Sequence, residues 1–178
     1  MIKDTIILTI ITLIAGLSLG VVYNVTKEPI AIQKELAVKN SYLAVYSDAD
    51  SFEELLDATA PMEFIVNNEI QGVEITSEVL AKDTSGNQIG TILLVTSKEG
   101  YAGDISIAMG VTNEGVLNGI SILAISETAG LGMKAGEVLV PQFANKKVDQ
   151  FLYTKAGAVS EEQIDVISGA TVTTEAFT

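Results

Sequence analysis

The most constraining feature of the sequence is an uncharged apolar run at residues 5–23, TIILTIITLIAGLSLGVVY. A helix of this length spans a bilayer, because each residue adds about 1.5 Å and the hydrocarbon core is about 30 Å thick. The alternative is a cleaved signal peptide, whose apolar region is about 7–15 residues long and ends at a small-x-small site. This run is longer and leads into YNVTKEP without such a site. We therefore predict an uncleaved anchor in the lipid bilayer.

The orientation of this anchor does not follow from its flanking charges. Lys3 precedes the run, while Lys27, Lys34 and Lys39 follow it. The positive-inside rule compares the basic residues on the two sides of a span, and here neither side is clearly favoured.

The charge and the missing residue types exclude several functions. The chain carries a net charge of −13, and Lys3 and Asp4 before the apolar run cancel each other. Such an acidic body is repelled by phosphates, so we expect no nucleic-acid partner. The chain has no Cys or His, and all 10 basic residues are Lys. This excludes thiol nucleophiles, Ser-His-Asp triads and the usual zinc ligands, so we predict no metal site and expect redox chemistry only from an organic cofactor.

The residues after the anchor predict a stalk. Residues 24–29 form a short break, and the apolar spacing of residues 30–46 favours a helix. Ser51 to Glu54 fits a capping box and predicts a second, short helix through FEELLDA. The predicted organisation is a tail at 1–4, a transmembrane helix at 5–23, a helical stalk at 24–60 and a domain at 61–178.

The domain itself has a β pattern. Residues 73–83 and 87–97 flank a Ser-Gly-Asn turn and predict a hairpin, and residues 100–112 and 116–126 predict two further strands around an Asn-Glu-Gly turn. Short turns between strands indicate an antiparallel meander. The predicted fold class is α+β, with this meander packed against short helices on one N-terminal transmembrane helix.

Two glycine-containing stretches are candidate sites. SETAGLGMKAG, at residues 126–136, lacks the spacing and the parallel setting of a dinucleotide-binding fingerprint. Its glycines allow backbone to approach a flat ligand closely, and they equally suit a loop between a strand and a helix. GYAGDI, at residues 100–105, favours a structural role such as a bulge or tight backbone packing.

The third candidate lies near the end of the chain. Ser160 to Gln163 fits a capping box and predicts a short helix. DVISGAT, at residues 165–171, predicts a turn that leads into another helix, with Ser168 as its N-cap. An ordinary cap and a phosphate seat at a helix N-terminus are both consistent with this pattern.

Taken together, these stretches resemble a known family. DVISGAT is similar to the flavinylation motif Asp-x-x-Ser/Thr-Gly-Ala-Thr, SETAGLGMK to a Glu-Thr-Pro-Gly-Leu-Gly segment, and GYAGDI to Gly-Tyr-x-Gly-Asp-Ile. In this order, behind one anchor, they resemble the G subunits of the Rnf ion-translocating ferredoxin:NAD⁺ oxidoreductases. A related family is the C subunit of the Na⁺-translocating NADH:quinone oxidoreductase.

The resemblance implies a covalent flavin. A flavin transferase would esterify the phosphate of FMN to the last Thr of the motif, here Thr171, giving phosphothreonyl-FMN. Asp165 would belong to the motif that the transferase reads. Residues of the SETAGLGMK and DVISGAT stretches would also bind the cofactor, namely Glu127, Thr128, Leu131, Gly132, Ser168, Gly169 and Ala170. No residue is expected to be catalytic by itself.

The resemblance also implies partners and a location. The chain would be a single-pass protein of the cytoplasmic membrane whose C-terminal domain faces outward and carries electrons among other subunits of the redox complex. One alternative is an FMN-binding domain of another extracytoplasmic electron-transfer chain or of a membrane regulator. A second is a cofactor-free, membrane-anchored binding module.

Two positions depart from the family pattern. Ala129 stands where the Gly-rich segment usually has Pro, which leaves one backbone φ angle unrestricted. The sequence ends at Thr178, where the family normally continues with a helix, so contacts between that helix and the flavin are not assigned.

Overall fold

The computed structural model describes residues 2–55 and 70–178. They belong to two compact units, Met1–Lys39 and Asn40–Thr178, which are described separately. The predicted boundary at residue 60, and the part of the predicted FEELLDA helix beyond residue 55, lie outside the described residues.

The first unit is the N-terminal part of one long helix, α1 (Ile2–Val45). Its most apolar stretch is long enough to cross a membrane, and none of that stretch is buried. The break predicted at residues 24–29 is wrong, because α1 continues through Pro29. A proline inside a helix removes one backbone hydrogen bond. The neighbouring turns remain intact, and Thr26 Oγ1 donates to the carbonyl of Val22 at 2.8 Å.

The second unit is built on a five-stranded antiparallel sheet with the strand order β1-β2-β3-β4-β5. Its strands are β1 (Ser51–Leu55), β2 (Val73–Lys82), β3 (Gln88–Ser97), β4 (Ile105–Thr112) and β5 (Leu117–Ala124). The predicted four-stranded meander, β2 to β5, is confirmed. The α+β fold class is confirmed as well, since short helices follow the sheet and pack on it.

The helix predicted from Ser51 is wrong. Residues Ser51–Leu55 instead form β1, which pairs with β2 at one edge of the sheet. The acidic side chains that suggested a capping box make cross-strand contacts. Glu54 Oε1 accepts from Ser77 Oγ at 2.8 Å, and Glu53 forms an ion pair with Lys82. Pairing with a neighbouring strand therefore overrides the local helical pattern.

Apolar side chains cover both faces of the sheet, because neighbouring residues of a strand point to opposite sides. In β4, Ile105 and Ile107 lie in one core cluster and Ala108 lies in the other. The second cluster packs on Val45 and Tyr46 at the end of α1. The first packs on the segments that follow the sheet, and this is the side on which the candidate site lies.

The chain after β5 consists of short elements. A 3₁₀ turn (Gly132–Lys134), helix α2 (Ala135–Val138) and a second 3₁₀ turn (Val140–Phe143) come first. Strands β6 (Leu152–Thr154) and β7 (Gln163–Asp165) then pair in parallel, and helix α3 (Thr171–Glu175) follows. The helix predicted from Ser160 is wrong. Gln163 N donates to Ser160 O at 3.2 Å in a turn, and Gln163 begins β7.

Candidate functional site

Three loops of the second unit meet around one cleft of about 530 Å³. This volume is within the range of small-molecule sites, about 300–1,000 Å³. The loops are a Gly-rich loop (residues 126–132), a Tyr101 loop (residues 100–104) and a motif turn (residues 165–171) that leads into α3. The residues lining the cleft are Tyr101, Glu127, Thr128, Leu131, Gly132, Gly169, Ala170, Thr171, Val172 and Thr173.

The Gly-rich loop folds back through its own backbone. The carbonyl of Thr128 accepts from Leu131 N at 3.1 Å and from Met133 N at 3.3 Å. Gly130 has φ +78°, a left-handed conformation that glycine adopts without strain. Gly132 is buried at the end of the loop, and a Cβ there would lie 2.6 Å from Thr173 Oγ1. The loop therefore lies directly against α3.

The Tyr101 loop is held to the Gly-rich loop by one side chain. Ala102 N donates to Glu127 Oε1 at 3.3 Å. Gly100 packs so closely that a Cβ would lie 2.9 Å from the same oxygen, which gives this glycine the structural role that the sequence predicts. Tyr101 projects from the loop with 71% of its surface exposed. An exposed aromatic ring thus forms part of the wall of the cleft.

The motif turn ends in a tight bend. Ala170 N donates to Ile167 O at 2.9 Å, and Gly169 between them has φ +80°. The prediction that Ser168 caps the following helix is wrong. The N-cap of α3 is Ala170, which makes no side-chain capping bond, and Ser168 is exposed. The left-handed glycine already turns the chain, so α3 begins two residues later than the cap pattern predicts.

The threonines of α3 differ sharply in environment. Thr173 is 1% exposed and donates through Oγ1 to Glu127 Oε2 at 3.1 Å. Thr174 is 0% exposed, donates to Ala170 O at 3.0 Å and accepts from Ile167 N at 3.2 Å. Thr171 is half-buried at the cleft, and its hydroxyl makes no hydrogen bond among the described residues. Of the three, Thr171 has the hydroxyl that remains available for chemistry.

Asp165 makes structural hydrogen bonds through both its carboxylate and its backbone. Its carboxylate Oδ1 accepts from Ala158 N at 2.7 Å, and its backbone N donates to Gln142 Oε1 at 2.7 Å. Gln142 Nε2 in turn donates to the carbonyl of Asp165 at 3.2 Å. These bonds fix β7 against the segment that follows α2. Asp165 does not line the cleft.

One tyrosine near α3 has a shifted acidity. Tyr153 Oη donates to Glu175 Oε1 at 2.7 Å, and this hydrogen bond to a carboxylate raises the pKa of Tyr153 above its usual range.

In the part of the chain that the structure describes, no group of three or more acidic side chains is placed to hold a metal ion.

The cleft brings together most of the residues that the sequence singles out. Glu127, Thr128, Leu131 and Gly132 line it from one side, and the motif contributes Gly169, Ala170 and Thr171. Ser168 and Asp165 do not line it. Sequence reasoning missed Tyr101, Val172 and Thr173 as lining residues. The available signal for Tyr101 was an aromatic residue set between two glycines, whereas nothing in the pattern distinguished Val172 or Thr173.

Comparisons with known proteins identify relatives of this chain. A family model described as the FMN-binding domain matches residues 100–178, which contain all three loops. The G subunit of the Na⁺-translocating ferredoxin:NAD⁺ oxidoreductase complex of Acetobacterium woodii is 34% identical over 103 residues. That alignment covers 57% of this chain but only half of the relative.

Other relatives align over nearly the whole chain. The G subunit of the proton-translocating ferredoxin:NAD⁺ oxidoreductase complex of Clostridium ljungdahlii is 30% identical, over 96% of this chain and 82% of the relative. The G subunit of the ion-translocating oxidoreductase complex of Aliivibrio fischeri is 26% identical, over 98% and 83%. Superposition on the crystal structure of Shewanella oneidensis NqrC gives a TM-score of 0.49 at 18% identity, covering 57% of this chain and 51% of that one.

Proposed function

This chain belongs to the family of G subunits of ion-translocating oxidoreductase complexes, and from that premise we propose that it carries electrons through a covalently bound FMN. It acts inside a membrane-bound ferredoxin:NAD⁺ oxidoreductase complex of the Rnf type and is not catalytic alone. The flavin supplies the capacity to accept and release electrons, since the sequence has no Cys or His to hold an iron–sulfur cluster or a His-ligated haem.

The residues of the cleft fit a flavin. Its wall combines apolar side chains, Tyr101, Leu131 and Val172, with backbone at Gly132 and Gly169. A flat ring system requires such surfaces, and a glycine lets the backbone approach without an intervening Cβ. At Gly169 a Cβ would lie 3.2 Å from Leu131 Cδ2, so the glycine also keeps the two loops close.

The observation that carries the proposal is the environment of Thr171. We propose that its hydroxyl forms the phosphoester to FMN, because it is accessible and unbonded at the cleft. The hydroxyls of Thr173 and Thr174 are buried and hydrogen-bonded, so a transferase would have to break native contacts to reach them. The phosphate is not held by a helix dipole in this proposal, since α3 has only 5 residues. The ester itself tethers the cofactor.

A pair of variants tests the attachment site. Thr171→Val removes the hydroxyl, and Ser160→Ala removes an exposed hydroxyl that lies outside the motif and away from the cleft. Each full-length protein is produced together with a flavin transferase, denatured, separated from free flavin and examined for visible absorbance. We expect the wild type and Ser160→Ala to retain flavin and Thr171→Val to lose it. Covalent flavin in Thr171→Val at the wild-type level would reject this site.

We further propose that residues 5–23 anchor the protein in the cytoplasmic membrane with the second unit on the outer side. The apolar stretch supports the span, and the family resemblance supports the orientation. The absence of cysteine permits a clean test. A membrane-impermeant maleimide should label Ser85→Cys, in the exposed turn between β2 and β3, in intact cells. Lys3→Cys should be labelled only after lysis, and the reverse pattern would invert the proposed topology.

Membership of a complex distinguishes this function from its alternatives. Affinity purification of the protein from its native membrane should recover the other subunits of the redox complex. A flavin-containing protein that purifies alone would instead favour another extracytoplasmic electron-transfer chain. A colourless protein would favour a binding module without a cofactor.

A further inference from the structure

The carboxylate of Glu127 connects the Gly-rich loop to the Tyr101 loop and to α3. We propose that Glu127 is the positioning residue of the site and that its fixed negative charge lowers the reduction potential of the bound flavin. This inference rests on the proposed function, because it requires a flavin in the cleft.

The side chain of Glu127 is buried, and each of its carboxylate oxygens accepts a hydrogen bond. Only 9% of its surface is exposed. Oε2 accepts from Thr173 Oγ1 at 3.1 Å, and Oε1 accepts from Ala102 N at 3.3 Å. An ionised carboxylate only accepts hydrogen bonds, so donors at both oxygens match that form. One side chain of the Gly-rich loop therefore holds both α3 and the Tyr101 loop.

The backbone at Gly132 and at Gly100 packs closely against the side chain of Glu127. A Cβ on Gly132 would lie 2.7 Å from Glu127 Cβ and 2.9 Å from Oε2. A Cβ on Gly100 would lie 2.9 Å from Oε1. Both glycines therefore lie close against the carboxylate of Glu127, where a Cβ would crowd it.

Among the described residues, no salt bridge neutralises Glu127. The two ion pairs that the structure describes in the second unit join Lys82 to Glu53 and Lys98 to Glu74. Both involve the sheet and neither involves a residue that lines the cleft. The hydrogen bonds to Glu127 come from a hydroxyl and a backbone amide, which carry no net charge. The cleft is therefore lined by a carboxylate without a cationic partner in the described part of the chain.

This arrangement has two consequences for the flavin. An electron that enters the flavin adds negative charge, and a fixed carboxylate nearby disfavours that addition more strongly in a buried site than in water. The carboxylate itself is neither oxidised nor reduced. In addition, Glu127 holds Thr173, two residues after Thr171, and thereby fixes the first turn of α3 that presents the attachment hydroxyl.

The test compares two Glu→Gln variants of the full-length flavinylated protein. Glu127→Gln keeps the side-chain volume but removes the charge, and its amide cannot accept at both positions. Glu137→Gln removes the same charge from an exposed site on α2 that does not line the cleft. We expect the midpoint potential of the flavin to become more positive in Glu127→Gln and to stay at the wild-type value in Glu137→Gln. Equal potentials in all three proteins would overturn the electrostatic part of the inference.

Two further variants separate charge from position. Thr173→Val removes one hydrogen bond and leaves the carboxylate in place, so we expect lower flavin occupancy with little change in potential. Thr173→Ser restores the hydroxyl and should restore occupancy. Wild-type flavin occupancy in Thr173→Val would overturn the positioning role of Glu127. This test does not depend on whether Glu127→Gln folds. A wild-type protein without flavin would instead reject the proposed function, which keeps the two failures distinguishable.

Discussion

Gly132 and Thr173 lie so close together that a Cβ on Gly132 would be 2.6 Å from Thr173 Oγ1, although 41 positions separate them in the sequence. The Gly-rich loop and α3 therefore share one wall of the cleft, and glycine is required at their contact. Gly132 does not have a positive φ angle, so the requirement is one of space and not of backbone conformation.

Replacing Gly132 by alanine should disturb the cleft directly. We expect a loss of about 1–3 kcal/mol of stability, the usual cost of overpacking, together with reduced covalent flavin. Thermal unfolding in detergent and flavin absorbance measure the two effects. Gly119→Ala is the matched control, because a Cβ there meets nothing within 4 Å. A Gly132→Ala protein with wild-type stability and flavin content would contradict the packing account.

Tyr46 should make the domain sensitive to alkali. Burial, and to a lesser extent the charge of Glu114, raise the pKa of Tyr46 from 10.0 to about 12. The folded state thus keeps its proton between pH 10 and 12 while the unfolded state loses it. This contribution to stability is complete below pH 10 and is lost as the pH rises to about 12. Thermal unfolding as a function of pH should show the decline.

Tyr46→Phe should remove this dependence of stability on pH. Among the described residues, the buried hydroxyl of Tyr46 has no hydrogen-bond partner. Its removal should therefore stabilise the protein by about 1 kcal/mol at neutral pH, because an unpaired buried hydroxyl is costly. The stability of the variant should also fall less steeply between pH 10 and 12. A variant whose profile parallels that of the wild type over this range would contradict the assignment.

The hydroxyls around α3 should differ in their contribution to stability. Thr174→Val leaves Ile167 N without its acceptor in the core, and we expect a loss of about 1–3 kcal/mol. Thr174→Ser keeps the hydroxyl and should recover part of that loss. Ser168→Ala should change the free energy of unfolding by less than about 0.5 kcal/mol, since Ser168 is exposed and caps no helix. A larger loss in Ser168→Ala than in Thr174→Val would reverse this ranking.

Variants of Asp165 separate its structural role from its recognition by the flavin transferase. Asp165→Asn keeps the oxygen that accepts from Ala158 N, so we expect the melting temperature to change little. If the transferase reads the carboxylate, the yield of covalent flavin should nevertheless fall. Asp165→Ala should lower both quantities. An Asp165→Asn protein with full flavin content would show that the charge of Asp165 is not read.

The meander was predictable because its signals are local. The turns at Ser-Gly-Asn and Asn-Glu-Gly and the alternation from Ile105 to Val111 fix β2 to β5 without reference to the rest of the chain. Strand β1 was not predictable in this way. Its sequence, SFEEL, has a capping pattern, and only pairing with β2 and the contacts of Glu53 and Glu54 make it a strand.

The candidate site likewise combines local sequence signals with contacts between residues that are distant in the sequence. The motifs identify residues on all three loops, but the bonds that join the loops connect distant positions. Glu127 and Thr173 are 46 residues apart, and no spacing rule links them. The parallel pair β6 and β7 was missed for the same reason, since each strand has only 3 residues. The sequence pattern places the start of α3 two residues too early, because left-handed Gly169 turns the chain before the helix begins.

The attachment of the flavin to Thr171 is the basis of the proposed electron transfer. Its most direct test is peptide mass mapping of the mature protein from its native membrane, with fragmentation of the peptide that contains residues 165–178. We expect this peptide to carry the mass of one FMN less one water, located on Thr171. An unmodified Thr171 in that protein, or FMN on Thr173 or Thr174, would contradict it.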